Sequence, residues 1–485
     1  MVDKEKGPSN DNYPSEKDDN VNRNFVLTEN EQSILKKALR KIDFRVFPIM
    51  YLLYLAGAMD RGNVGAALIN GMRTSLKLTS VDEGSLNSMF FITYVSMEPF
   101  SNILLKRLRP SIWFPFLGIS WSITCMCIAA AQNAVQAILI RVLLGAFEAG
   151  FTPGLITYMG YWYTREELGP RMSIMFSALP ASGIMNLLYG AIVLIKLGSL
   201  KPYQVIFVIA GLLTLIIGII SIFVIKDYPE TAKFLTPEEK DVVVKRLVSS
   251  QGSAQKAVIT LKTIISTILD WKVWAFCIIG TAKNNTIIII GFIGPTIIKS
   301  LGFSSTTSTL LSSGPAIIGT VSTLACAFLI SKYPYWIRLL ILDLMSVICF
   351  TVVAFAKNRD LRLAFVFILG TSMYSSIPIS MSWMSVNSGS TQKRAIKSAF
   401  YAMVGSTAGI FSPFLFTPSY APKYTIGFAV AFALYGCSIV LTIILRIHLD
   451  RANKYRQNNP KDVSHLSTEE QRDLHDLHPD FRYIL

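Results

Sequence analysis

Arg141 and Glu148 stand seven residues apart in a stretch that is otherwise largely apolar. On an α-helix that spacing is two turns, roughly 10.5 Å along one face. A guanidinium and a carboxylate stacked on one wall suit an anion held by charge-assisted hydrogen bonds beside a titratable group. A salt bridge that merely ties two helices together is the competing reading. Lys283, followed by Asn284 and Asn285, lies in the middle of another apolar stretch, too far from either end to reach water easily. Its ammonium suits a second anchor for a carboxylate, or else a pairing with Asp60 or Asp343. The Asp60-Arg61 pair could serve as a gate or a proton site, with a structural latch as the alternative. Glu98, beside Pro99, reads as a conformational latch against the basic segment 106–109, which includes Arg107. Tyr374 and Trp383, with Ser375, Ser376 and Asn387, could stack on and hydrogen-bond a small planar solute, or simply pack. All four histidines follow residue 447, so any proton carried through the interior must ride on a carboxylate, with Glu148 and Asp60 the candidates.

What must position these residues is a set of twelve apolar stretches between Val46 and Ile447. Each is about 20 residues or more, the length at which an α-helix crosses the hydrocarbon core with its backbone hydrogen bonds satisfied. They run approximately 46–68, 86–105, 112–131, 135–160, 171–195, 203–225, 272–298, 307–331, 336–356, 362–386, 396–420 and 425–447. Charged residues inside such stretches are costly and persist where they face a cavity or each other. The expectation is an all-α membrane protein of twelve transmembrane helices. It divides into a cytoplasmic tail with a short amphipathic helix (1–45), a six-helix bundle (46–225), a cytoplasmic linker (226–271), a second six-helix bundle (272–447) and a cytoplasmic tail (448–485). Residues 1–27 are polar and expected to be disordered. Three capping boxes, Thr28 with Glu31, Thr236 with Glu239 and Ser467 with Glu470, mark short polar helices outside the stretches. Recurring cues support two parallel repeats: Arg171 precedes Gly183 by twelve residues, as Lys397 precedes Gly409.

Of the 485 residues, 52% are hydrophobic and 16% charged, well below the quarter or so usual in soluble proteins. The net charge of +15 is therefore read as topological, with no nucleic-acid partner. Lys and Arg concentrate before the first stretch and in the loops after the even-numbered ones, which places both termini and the linker in the cytoplasm. The six cysteines all lie within apolar stretches and read as packing residues. Gly145, Gly150 and Gly154 read as points of close helix packing. No phosphate-binding Gly-Lys loop, no His/Cys metal spacing and no nucleophile elbow occurs, so neither an ATP-driven pump nor an enzyme is indicated.

Several strings resemble the fungal allantoate permease family, in the anion:cation symporter branch of the major facilitator superfamily. They include Met59-Asp60-Arg61-Gly62-Asn63-Val64-Gly65, Glu98-Pro99-Phe100-Ser101-Asn102, Arg141-Val142-Leu143-Leu144-Gly145-Ala146-Phe147-Glu148, Asp227-Tyr228-Pro229-Glu230-Thr231-Ala232 and Pro295-Thr296-Ile297-Ile298-Lys299-Ser300-Leu301-Gly302-Phe303. The resemblance spans nearly all of residues 40–485. It implies a major-facilitator-type fold of two six-helix halves with a cavity lined by the first, fourth, seventh and tenth helices. It further implies import of a small organic anion, a vitamin-like carboxylate or an allantoate-like nitrogen compound, by proton symport across the plasma membrane. An internal membrane is the alternative location. The protein is expected to act as a monomer in the lipid bilayer, driven by the proton gradient and without a cofactor. In this setting Arg141, Lys283, Asn284, Asn285, Tyr374 and Trp383 become substrate-binding candidates, and Arg61, Glu98 and Arg107 gate or latch residues. Where the family usually opens its sixth helix with Trp-Arg-Trp, this chain has Tyr203-Gln204-Val205-Ile206-Phe207 and lacks the associated ionisable pair. Proton-driven export of organic anions and a non-transporting nutrient sensor are the alternatives.

Overall fold

A computed structural model describes residues 28–194, 198–251, 261–329, 333–389, 391–417, 420, 424–459, 476, 479 and 481–485. In chain order the helices are α1 (Glu29–Arg45), α2 (Phe47–Ala67), α3 (Arg73–Ser75), α4 (Ser80–Leu108), α5 (Pro110–Cys127), α6 (Ala134–Glu148), α7 (Phe151–Gly160), α8 (Arg165–Phe176), α9 (Ala178–Ile192) and α10 (Pro202–Val224). Then follow α11 (Pro237–Gln251), α12 (Leu261–Ile268), α13 (Trp271–Ile288), α14 (Gly294–Ser300), α15 (Ser305–Leu311), α16 (Gly314–Leu329), α17 (Tyr335–Phe355), α18 (Arg359–Val386), α19 (Thr391–Ser406), α20 (Ala408–Leu415) and α21 (Thr425–Asn458). Capping chemistry sets several starts. Thr28 and Glu31 exchange side-chain-to-backbone bonds at α1, as Thr79 and Asp82 do at α4 and Thr236 and Glu239 at α11. The Ser467–Glu470 box and the polar segment 1–27 lie outside the described residues.

Ten helical runs among the described residues are long and apolar enough to cross a membrane, against twelve expected. The stretches 86–105 and 396–420 are not among them. Asn87, Ser88, Thr93, Ser96, Glu98 and Ser101 interrupt the apolar character of α4. A turn at Thr407 divides the other stretch into α19 and α20, and α19 carries Lys393, Arg394 and Lys397. Both runs nevertheless pack within the bundle, α4 against α6 and α20, and α19 against α13.

The helices form two groups, one preceding α11 and one following α12. In the first, α10 packs on α5 and α2, and in the second α18 packs on α16 and α17 while α21 covers α13 and α17. Corresponding helices carry corresponding irregularities: α2 ends at a kink within Leu68–Met72, where Gly71 takes φ +104°, and α13 ends in a π-helical turn at Ile289–Ile293. The two ends meet. A Cβ on Gly65 would collide with the carbonyl oxygen of Phe292, so only glycine permits this approach of the two backbones. Nearby, Asn70 Nδ2 donates to Thr309 Oγ1 at 3.0 Å and Ser88 Oγ to the Ile410 carbonyl at 2.6 Å. The halves thus join at the end of the bundle remote from α1.

At the other end, among the described residues, ion pairs join α1 and α11 to the first half and to each other. Asp43 accepts from Arg171 at 2.7 Å, Glu167 from Arg246 at 2.9 Å and Glu239 from Lys41 at 2.8 Å. On the second half, residues 481–485 and Asp476 lie across the ends of α13, α17, α18, α19 and α21. Asn387 both donates to the Ile484 carbonyl and accepts from its N–H, at 2.9 and 2.8 Å. Asp476 accepts from Lys272 at 3.0 Å and from Lys393 at 2.9 Å. Arg456 donates to the carbonyls of Phe481 and Asp476.

Candidate functional site

Between the halves lies a cavity of about 120 Å³, bordered by α2, α4, α9, α13, α18 and α19. Its walls are mainly apolar and aromatic, with Phe91 and Phe292 in edge contact at 6.1 Å. Arg61 is the one charged side chain among the lining residues. Its Nε donates to Glu148 Oε1 at 2.5 Å, and its guanidinium lies 4.8 Å from the centre of the Tyr94 ring. The Arg61 side chain is 20% exposed and that of Glu148 only 1%. Among the described residues the other carboxylate oxygen, Glu148 Oε2, has no hydrogen-bond partner, and it is buried.

Glu148 is the last residue of α6. The helix breaks immediately after it: Ala149 is extended and Gly150 takes φ +75°, so α7 starts in a new direction. A Cβ at Gly150 would clash with Ser101 as well as strain the backbone. Gly150 is therefore a helix break, not only the packing point expected from sequence.

Asp60 precedes Arg61 but points elsewhere, because consecutive helical residues diverge by about 100°. It is wholly buried, with Oδ2 accepting from Thr214 Oγ1 at 3.1 Å and Oδ1 contacting Cys125 Sγ at 3.5 Å. Arg141 is also wholly buried, inside the first half. It donates to the Leu86 carbonyl, the Asp60 carbonyl and Asn87 Oδ1 at 3.2–3.5 Å, and lies over the Phe90 ring at 4.8 Å. It does not line the cavity. Its carboxylate neighbour along the helix, Glu148, is engaged by Arg61 instead.

Lys283 is likewise placed away from the cavity. Its ammonium pairs with Asp343 on α17 and donates to Ser438 Oγ on α21 at 2.9 Å, while Ser438 donates to Asp343 Oδ2 at 2.7 Å. The Tyr435 ring covers it at 4.8 Å, and Lys283, Asp343 and Ser438 are all fully buried. The expected clamp of two cations from opposite halves is therefore corrected, since each cation turns into the interior of its own half. Of three consecutive residues on α13 only Asn284 faces the cavity, its Nδ2 donating back to the Gly280 carbonyl at 3.1 Å. Asn285 turns to α20 and accepts from Ser412 Oγ at 2.5 Å.

Tyr374 lines the cavity, but Trp383 does not. Nine residues along α18 carry it about 13.5 Å further on, where its Nε1 donates to the Ile484 carbonyl at 2.9 Å. The same rise separates Glu98, buried in α4, from Arg107, exposed at its end, so those two do not form a latch with each other. Sequence reading missed the face of α9 made by Ser182, Asn186 and Tyr189, all of which line the cavity. The signal was present, as three polar residues at i, i+4 and i+7 in an apolar stretch.

The sequence profile of the Major Facilitator Superfamily matches residues 50–413. Among relatives, the chain is 28% identical to the major facilitator-type transporter hxnP of Emericella nidulans over 95% of this chain and 94% of that one. It is 30% identical to a putative tartrate transporter of Agrobacterium vitis over 59% of this chain and 63% of that one. Among solved structures, a D-xylose–proton symporter covers 82% of this chain and 96% of its own, with a TM-score of 0.63 and 12% identity. A bacterial homologue of the human lysosomal transporter spinster, in an inward-facing form, covers 87% and 96%, with a TM-score of 0.60 and 13% identity. A multi-helix bundle with a cavity between two halves, matched by that profile over most of its length, belongs to the Major Facilitator Superfamily: the chain is a multi-pass secondary transporter, not an enzyme.

Proposed function

We propose that the protein imports a small organic anion together with a proton, by alternating access of the cavity between its two halves. The observation that carries this reading is the Arg61–Glu148 pair, a lone cation at the cavity wall held by a carboxylate with one unpartnered oxygen. Asp60, Arg61, Arg141 and Glu148 sum to zero charge when all are ionised. A proton placed on Glu148 Oε2 weakens the hold on Arg61 and leaves the group with one positive charge in excess. A substrate carboxylate that binds the released guanidinium restores neutrality. Proton and anion therefore favour each other's binding, since either alone leaves an uncompensated charge in a desolvated site. Asp60, with both oxygens already engaged, serves as the fixed counter-charge to Arg141. The break at Ala149-Gly150 lets the partner exchange at Glu148 bear on the direction of α7.

In this reading α4 and α19 with α20 complete a set of twelve spans, arranged as halves 46–225 and 272–447. The Lys/Arg distribution places both termini in the cytoplasm, and the plasma membrane is the proposed location. Similarity to a putative tartrate transporter supports an anionic substrate. The test is uptake of labelled carboxylates by cells overproducing the protein, across external pH. Acid outside should drive accumulation, and Glu148→Gln should abolish accumulation while preserving exchange. Unchanged accumulation and pH dependence in that variant would remove Glu148 from the coupling.

A further inference from the structure

Asn186 on α9 is 8% exposed, borders the cavity, and its amide makes no hydrogen bond within the described structure. An amide turned into a cavity without a protein partner takes one from water or from a bound solute. Two further side chains on the opposite wall keep hydrogen-bonding capacity turned to the cavity. Asn284 spends its Nδ2 on the Gly280 carbonyl, which leaves its Oδ1 open. The Tyr374 hydroxyl, without a partner among the described residues, reaches α9, lying 3.9 Å from where a Cβ on Gly183 would stand, one turn from Asn186. Ser182, by contrast, is spent on the Leu179 carbonyl.

We propose that Asn186, together with Asn284 and Tyr374, reads a neutral hydrogen-bonding group on the substrate, at the end away from the carboxylate held by Arg61. This rests on the anion reading above. The three side chains offer one acceptor (Asn284 Oδ1) and two groups able to donate or accept. A hydroxyl or a primary amide satisfies all of them, whereas a methyl group satisfies none. The cavity is slightly smaller than the roughly 150 Å³ that holds a benzene molecule, so the substrate is a short hydroxy- or amido-carboxylate. A site built to hydrogen-bond a polar group rejects the analogue without it far more strongly than an apolar pocket rejects an added methylene. Asn186 is then a specificity-determining residue contributed by the first half, facing readers from the second.

The test uses two isosteric pairs on the purified full-length chain, with binding measured by titration. The pairs are 3-hydroxybutanoate with 3-methylbutanoate, and succinamate with 4-methylpentanoate. The polar member of each pair should bind at least tenfold more tightly. Asn186→Leu should bring the ratio close to one by weakening the polar member, with the apolar member still binding, which shows that the variant is folded. Tyr374→Phe should reduce the ratio in part. Arg61→Gln should weaken both members of a pair alike. Equal binding within the pairs, or a ratio that survives Asn186→Leu, with both members still dependent on Arg61, would overturn this inference and leave the anion reading standing. Binding that ignores Arg61→Gln, or failure of all four acids to bind, would overturn both.

Discussion

The two halves each bury an ion pair whose cation sits on the first span of its half, Arg61 in one and Lys283 in the other, and the pairs are finished differently. Lys283 and Asp343 are closed off by Ser438, which bonds to both, and by the Tyr435 ring, with no exposure. Arg61 borders the cavity, and Glu148 keeps one oxygen unpartnered. A pair whose hydrogen-bonding capacity is filled on every side has nothing to gain by separating. A pair with spare capacity beside a cavity can trade partners with a proton and an anion. The comparison assigns holding α13, α17 and α21 together to the second half, and the exchange of charge to the first.

The largest expected effect comes from breaking the closed pair. Lys283→Met leaves Asp343 charged and alone in the interior, at a cost of about 3–5 kcal/mol, and folded yield should fall steeply. The double variant Lys283→Met/Asp343→Leu should recover both thermal stability and transport. Recovery of the fold without transport would mean that Lys283 acts on substrate after all. Next, Arg61→Gln should weaken carboxylate binding by about 2 kcal/mol, roughly thirtyfold, through loss of a charge-assisted bond. Here the double variant Arg61→Gln/Glu148→Gln should regain folded yield but not binding. If both double variants behaved alike, the contrast between the halves would collapse.

A smaller effect is expected at the strap of residues on the second half. The surrounding lysines, Lys272 first, hold the Asp476 carboxyl well below its usual range despite its burial. Its folded-state pKa is thus depressed, so its contribution is fully present above the ordinary carboxylate range. That contribution is lost only as pH falls through the lower folded value. The wild-type strap should therefore stay docked at pH 5. Asp476→Asn should loosen it at any pH, by about 1–2 kcal/mol, read as faster amide exchange at residues 481–485. Equal exchange in the two proteins at neutral pH would show that Asp476 does not hold the strap. A last variant, Gly150→Ala, meets both the left-handed backbone and Ser101, at a cost of about 2–4 kcal/mol. Transport should slow by more than stability alone explains, because the break follows Glu148. A variant that transports normally would separate the break from the exchange.

Much of the framework is legible in sequence because lipid imposes a one-dimensional rule. A helix that must bury its own backbone polar groups declares itself by apolar length, and capping boxes such as Thr28 with Glu31 are local by construction. The charged residues of the interior were legible too, since Asp60, Arg61, Arg141, Glu148 and Lys283 stand out against apolar neighbours. The stretches 86–105 and 396–420 are less apolar than the other ten because α4 and α19 pack against neighbouring helices, which accept polar side chains that lipid does not.

Partners were not legible in the sequence. Arg141 and Glu148 share a spacing that suggests one wall, yet Glu148 is engaged by Arg61, from a helix 87 residues earlier in the chain. Lys283, Asn284 and Asn285 are neighbours in sequence but turn to α17, to the cavity and to α20. The sequence by itself determined the class of the protein and its inventory of buried charges, because each follows from composition and local spacing. Which charge meets the cavity, which is sealed away, and that Asn186 faces Tyr374 across it were decided only by the tertiary structure. Those relations depend on the rotation of each helix about its axis, and packing against distant helices sets that angle.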